Sequence, residues 1–418
     1  MLRRLKRRLF GSATSPRVGS RVRTVDELLA PARPLNLELR PALAAKPHLV
    51  VLVPGLGMES MSGGPNTALN LACRMAAQGV PVRLVATDLP PDRNAAPLWR
   101  HMLQLAGISE RPPNVQIADG HDRSVPLALG ENDMFLATAW WTAAMVKAAL
   151  PRMARKRFLY LVQDFEPGLH AHSTSYVMAL DTYAMDYYAI VNHPLLHRHL
   201  VESRVGRFAD PAFAERVAVL DPAIDREHFF PQQRAQDGPR TLLVYARPLS
   251  APRNLFELAV AALQLALRRG AFDGGPWQFL GMGERFAPVA LDARRSLRAL
   301  PWMGYAEYAA QLRAADILLS LMLSPHPSYP PLEMAATGGS VVTNSYGAKT
   351  AERLREISPH IIAAEPSVEA VADAIAAAVA RCAAGATGVP QAKLAAPASW
   401  DQSLEEVLPF ALRAWNYR

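Results

Sequence analysis

The chain has 418 residues, half of them hydrophobic, enough to bury sizeable cores; at about 150 residues per domain it would hold two or three, and two suit its organisation. Its net charge is +8, yet eight of the 45 basic residues fall within the first 23 positions with no acid among them, so the remaining 37 bases match the 37 acids. A neutral body excludes a general nucleic-acid surface, and two distant cysteines, Cys73 and Cys382, without CxxC or Cys/His spacing, indicate neither a disulfide framework nor a zinc site.

The opening segment, MLRRLKRRLF, can place Leu2, Leu5 and Leu9 on one helical face among arginines, as interfacial helices do on anionic lipid; a solvated tail is the alternative. Residues 1–47 read as a basic extension, with a proline-rich lead-in from Arg17 to Pro47 and one short helix near Asp26 to Ala30. The strongest uncharged run, Phe135 to Val146, is too short to span a bilayer, and no export segment is visible. A cytoplasmic location, peripheral at the inner face of the plasma membrane, is the expectation.

His48 to Pro54 (HLVVLVP) is a continuous apolar run of the buried parallel-strand type, followed by a Gly-rich loop and a helix from Pro65 to Gln78. Strands Val82 to Thr87, Val115 to Ala118, Met134 to Thr138, Phe158 to Gln163, Tyr187 to Val191 and Val217 to Leu220 continue a strand–helix alternation. The polar stretch QQRAQDGPR marks a boundary, which gives a first Rossmann-like domain over 48–231. Alternation restarts at Thr241 to Ala246, with a helix from Asn254 to Arg269, strand Trp277 to Leu280, helix Tyr305 to Ala314 and strand Ile317 to Leu323. This second Rossmann-like domain covers 240–399, and residues 400–418 form a last helix that can cross back to the first domain. The predicted fold is α/β, with two such domains facing a central cleft.

The most informative stretch runs from Leu318 to Asn344: strand, proline-rich loop, an acid opening an Ala-rich helix, and a second strand. With Leu332, Glu333 and Met334 at the start of that helix, free backbone N–H groups and the positive end of the dipole would face a phosphate in the loop. GLGMESMSGG, ahead of the first helix, lacks a proper GxGxxG because Ser60 stands three after Gly57; Gly63 and Gly64 are expected in a flexible loop over phosphate or acceptor, or in a simple turn. YARPLSAPRN supplies Arg247 and Arg253, whose guanidinium forks suit phosphate oxygens. QDFEPGLHAH ends a strand in a polar cluster, where Asp164 or Glu166 could bind acceptor hydroxyls or act as base; the alternative is that Asp164 caps a turn and Glu166 lies in an exposed loop.

Taken together, QDFEP, DREHFFP, YARP and SPHPSYPPLEMAATGGSVVTN resemble the rhamnosyltransferases of the WsaF type, a branch of GT-B enzymes similar to glycosyltransferase family 4, over roughly residues 45 to 365. The resemblance implies a GT-B fold and transfer of L-rhamnose from dTDP-β-L-rhamnose to a bacterial surface-glycan acceptor with retention. It implies that Glu333 takes the nucleotide ribose, Arg247 and Arg253 grip the diphosphate, and Leu332 belongs to the helix head that receives it. Family 4 carries a second Glu eight positions before Glu333; here Pro325 stands there, and His326, Ser328 or Tyr329 is expected to contact the donor instead. No DxD triplet appears, and neither a metal nor a cofactor beyond the nucleotide-sugar is expected. A nucleotide-sugar epimerase and a non-catalytic glycan-assembly subunit remain alternatives. Acceptor, linkage and oligomeric state are not written in these residues.

Overall fold

The computed structural model describes residues 24–61, 63–232, 238–249, 251–384 and 393–416. The basic segment 1–23 and its expected lipid-facing helix lie outside these residues, as does most of the QQRAQDGPR stretch.

Seven parallel strands form the first sheet in the spatial order Val115–Asp119, Val82–Ala86, Leu49–Val53, Met134–Ala137, Phe158–Val162, Tyr187–Asn192, Val217–Leu220. Order reverses beside Leu49–Val53, the switch point of a doubly wound sheet. Every residue of that strand is fully buried, because helices cover both faces: Leu49, Val51 and Val53 enter one core and Val50 and Leu52 the other. Burial of each such side chain contributes about 1.5–3 kcal/mol relative to exposure.

The second sheet has the same logic, in the order Val289–Ala290, Ser296–Ala299, Trp277–Gly283, Arg240–Ala246, Ile317–Leu319, Ser340–Asn344, Ile361–Ala364, all parallel except its first, edge strand. Its switch point falls between Arg240–Ala246 and Ile317–Leu319. Loops leaving these two strands carry Arg247 and Arg253 on one side and Ser324, His326 and Ser328 on the other.

Several expectations differ in detail. The proline-rich lead-in holds more than its one expected short helix: Leu37–Leu39 pairs with Leu127–Leu129, and Leu35 and Leu37 join the core of the first sheet. Strand Ile317–Leu319 stops four residues earlier than its apolar run, since Leu321 and Met322 bury as a loop secured by the Asn344 side chain. The terminal helix is two pieces, Trp400–Leu404 and Val407–Asn416. In the second, Val407, Phe410, Ala411, Ala414 and Trp415 repeat at helical spacing and pack on the first sheet's core.

Candidate active site between the two sheets

The Glu333 helix spans Tyr329–Ala336, so it begins three residues before the expected Leu332. Pro330 and Pro331 are tolerated because the first turn of a helix leaves N–H groups unpaired anyway. The consequence weakens the expected anion seat. Of the four leading N–H positions, two are prolines, and the Ser328 N–H donates to His326 Nδ1 at 2.9 Å, which leaves that of Tyr329. Leu332 is fully buried in the core and presents no side chain to a ligand.

Glu333 lies one turn into the helix, buried, with one carboxylate oxygen accepting from Tyr308 Oη. Burial pushes its carboxyl up to about 7; the Tyr308 hydrogen bond opposes this, and the nearby charge of Asp225 adds to it. Asp225 is held by His228 Nδ1 at 2.8 Å. Sequence reasoning missed the Tyr308–Asp225 surroundings because they come from three separate segments.

Tyr329 reaches across to the first sheet. Its hydroxyl lies 3.2 Å from Thr67 Oγ1, and a Cβ placed on Gly63 would fall 2.8 Å from its ring. Gly63 and Gly64 are the first two residues of the helix Gly63–Ala77, not of a flexible loop. They permit close approach instead: a Cβ on Gly64 would meet Gln163 Oε1 at 3.0 Å.

Asp164 stands two residues past the strand Phe158–Val162 and is buried. One carboxylate oxygen accepts from Arg253 Nη1; the other accepts from Ser324 Oγ and from the Phe165 N–H, the last at 2.8 Å. Ser324 Oγ in turn accepts the His326 N–H at 3.0 Å. Burial pushes the Asp164 carboxyl up, but the charges of Arg253 and His326 together with these hydrogen bonds more than offset it, so it titrates below its ordinary range. Glu166 is not in an exposed loop. It is buried beneath the helix Trp140–Ala149, accepting the Trp140 N–H at the positive end of that helix and the Tyr160 hydroxyl at 3.3 Å, and burial pushes its carboxyl up to about 8.

Arg247 is half-exposed, with Nε 3.8 Å from Glu284 Oε1, whereas Arg253 is committed to Asp164. Lys349, unnoticed in the sequence, is fully buried and donates from Nζ to the Met322 carbonyl at 2.9 Å; burial lowers it to about 7. The His193 and His326 rings meet at 5.3 Å, edge to face, across the two sheets. Of the four described non-glycine residues with positive φ, three border this region: His193 (φ 92°), Leu255 (φ 50°) and Ser328 (φ 71°). Each costs on the order of 1–3 kcal/mol, a strain held where two sheets must meet.

A cleft of about 710 Å³ is lined in part by Phe165, Tyr176, Leu180, His199 and Tyr346; Asp164, Arg247 and Glu333 do not line it. Among the described residues no group of three metal-ligating side chains is gathered, and no helix is long and apolar enough to cross a membrane.

Two domains of one family match the chain: the WsaF N-terminal domain over residues 48–193 and the WsaF C-terminal domain over residues 240–376. The chain belongs to the WsaF family. Each of its two sheets carries one of the family's domains. This WsaF-family chain is 33% identical over 277 residues to the O-antigen biosynthesis protein RfbC of Myxococcus xanthus; the match covers 66% of this chain and 20% of that protein, so the chain spans about a fifth of the relative's length. Its fold resembles trehalose-6-phosphate synthase OtsA (TM-score 0.51, 11% identity, 88% of this chain and 96% of that one). The catalytic domain of Arabidopsis thaliana starch synthase IV is similar to the same degree (TM-score 0.50, 10% identity, 88% and 99%). At such identities the likeness speaks for the fold alone, and that fold is GT-B.

Proposed function

We propose that this WsaF-family enzyme transfers L-rhamnose from dTDP-β-L-rhamnose to a glycan acceptor in the assembly of an O-antigen-type surface polysaccharide, with retention at the anomeric carbon and without a divalent ion. The observation that carries this reading is that the loops leaving the two strands at the second sheet's switch point carry Arg247 and Arg253 on one side and Ser324 and the Glu333 helix on the other, and that Asp164 of the first sheet bonds to Arg253 and Ser324 across them. The match to RfbC supports the surface-polysaccharide context, and the family supports rhamnose.

In this reading the donor diphosphate lies against Arg247 and the head of the Tyr329–Ala336 helix, while Glu333 takes ribose hydroxyls. Ser328 and Tyr329 border the sugar. The acceptor enters from the side of Gly63, Gly64 and Asp164, along the cleft lined by Phe165 and Tyr176. Guanidinium charge neutralises the departing diphosphate, the role a divalent ion plays in other transferases. Front-face attack, with the leaving phosphate accepting the acceptor's proton, preserves the anomeric configuration. Closure of the two sheets around the donor keeps water from it. The basic first 23 residues support docking on anionic lipid at the cytoplasmic face.

The test is incubation of the protein with dTDP-β-L-rhamnose and surface-glycan fragments, with and without EDTA, reading released dTDP and the anomeric configuration of the product by NMR. Acceptor-dependent release of dTDP, unaffected by EDTA, with a β-linked product, is expected. Donor conversion without an acceptor would instead mark an epimerase, and binding without turnover a non-catalytic subunit.

A further inference from the structure

Asp164 lies two residues past the end of an apolar strand, a common setting for a general base, but its bonding suits a different role. Both of its oxygens are occupied, and two of the three partners belong to the opposite sheet: Arg253 on the loop after Arg240–Ala246, and Ser324 on the loop after Ile317–Leu319. Through Ser324 the carboxylate also orients the His326 backbone. A base needs a free lone pair facing the proton it removes, and three of this carboxylate's roughly four lone-pair sites are already turned toward donors.

Two groups held by this carboxylate have donors left over. His326 Nδ1 accepts the Ser328 N–H, so in the neutral ring the proton sits on Nε2. Among the described residues, His326 Nε2 and Arg253 Nε are buried side-chain atoms without a hydrogen-bond partner. A buried donor left unsatisfied is costly, and where two sit on residues tied into one network through Asp164 and Ser324 the physical explanation is a ligand acceptor that completes them.

We propose that Asp164 is a positioning residue, whose carboxylate reaches across the cleft to hold Arg253 and His326 so that Arg253 Nε–H and His326 Nε2–H receive oxygens of the donor's distal phosphate. This rests on the reading of the protein as a nucleotide-sugar transferase. It assigns His326 a donor function in place of the carboxylate that Pro325 replaces, directed at a phosphoryl oxygen and not at a sugar hydroxyl. It also couples the two sheets. The first sheet sets the geometry of a phosphate seat built on the second, so domain closure and donor binding reinforce each other.

The experiment is calorimetric titration of the full chain and of Asp164→Asn, Arg253→Lys and His326→Phe with dTDP and with dTMP, beside pH profiles of kcat/KM for wild type and Asp164→Asn. Arg253→Lys keeps a cation for Asp164 while removing the Nε–H, so it tests the seat even if an Asp164 variant folds poorly. Each variant is expected to weaken dTDP by roughly tenfold or more, with a smaller effect on dTMP, which lacks the distal phosphate. The Asp164→Asn pH profile is expected to keep its shape. If Asp164→Asn and Arg253→Lys bind dTDP like wild type while kcat collapses and the acidic limb of the profile disappears, Asp164 is a base and the proposal is wrong. A wild-type protein that binds no nucleoside diphosphate would bring down the transferase reading itself, and this proposal with it.

Discussion

Tyr329 and Gly63 touch across the two sheets, with the tyrosine ring occupying the space that any side chain at 63 would need. The same ring anchors its hydroxyl on Thr67 Oγ1, so the helix that carries Glu333 is tied at its first residue to the first helix of the other sheet.

Gly63→Ala should therefore disturb the cleft and not just a turn. Its Cβ would stand 2.8 Å from the ring, and forcing that rigid neighbour aside is expected to cost about 1–3 kcal/mol. Thermal unfolding and donor turnover together check this. The midpoint should drop and turnover should fall with it, while Gly274→Ala, at a site where no atom lies within 4 Å, should leave both unchanged.

Glu166 sets a pH dependence of stability whose sign follows from its burial. Its folded carboxyl titrates near 8 against an ordinary value of 4.5, so the folded state binds the extra proton, and stability is lost as pH rises between those values. Glu166→Gln keeps an oxygen for the Trp140 N–H but cannot ionise. The variant's melting temperature minus that of wild type should accordingly grow from pH 5 to pH 8. A flat difference would contradict the assignment.

Arg247 is half-exposed and only loosely paired with Glu284, so its removal should hardly affect folding, within about 0.5 kcal/mol. If it neutralises the departing diphosphate, Arg247→Ala should cut kcat by about 10²–10³-fold. Stopped-time assays of dTDP release, beside a denaturant curve, separate the two effects.

The apolar strands were legible because each must be buried on both faces, which leaves an unbroken run of Val and Leu such as Leu49–Val53. Two Rossmann-like domains followed from their alternation with helices, and the GT-B arrangement from the family resemblance of the motifs around Glu333 and elsewhere. What could not be read was pairing between distant segments. Nothing near Arg253 in the chain announces that its partner is Asp164, and nothing near Lys349 announces that its ammonium holds the Met322 carbonyl. The start of the Glu333 helix was misplaced because Pro330 and Pro331 suggest a loop, although the first turn of a helix accommodates proline. Gly63 and Gly64 misled in the opposite way: their freedom serves close approach by Tyr329 and Gln163, not flexibility.

Calorimetric titration with dTDP, UDP and GDP, without added metal, on wild type and Glu333→Ala tests the central claim most directly. Glu333 is buried beside Tyr308 and poised near neutral pH, and loss of its hydrogen bonds to ribose should weaken the nucleotide by roughly 10–100-fold. Selective binding of dTDP that is lost in the variant is the result expected of a dTDP-rhamnose transferase. Equal binding of all three nucleotides, or dTDP binding that survives in Glu333→Ala, would contradict it.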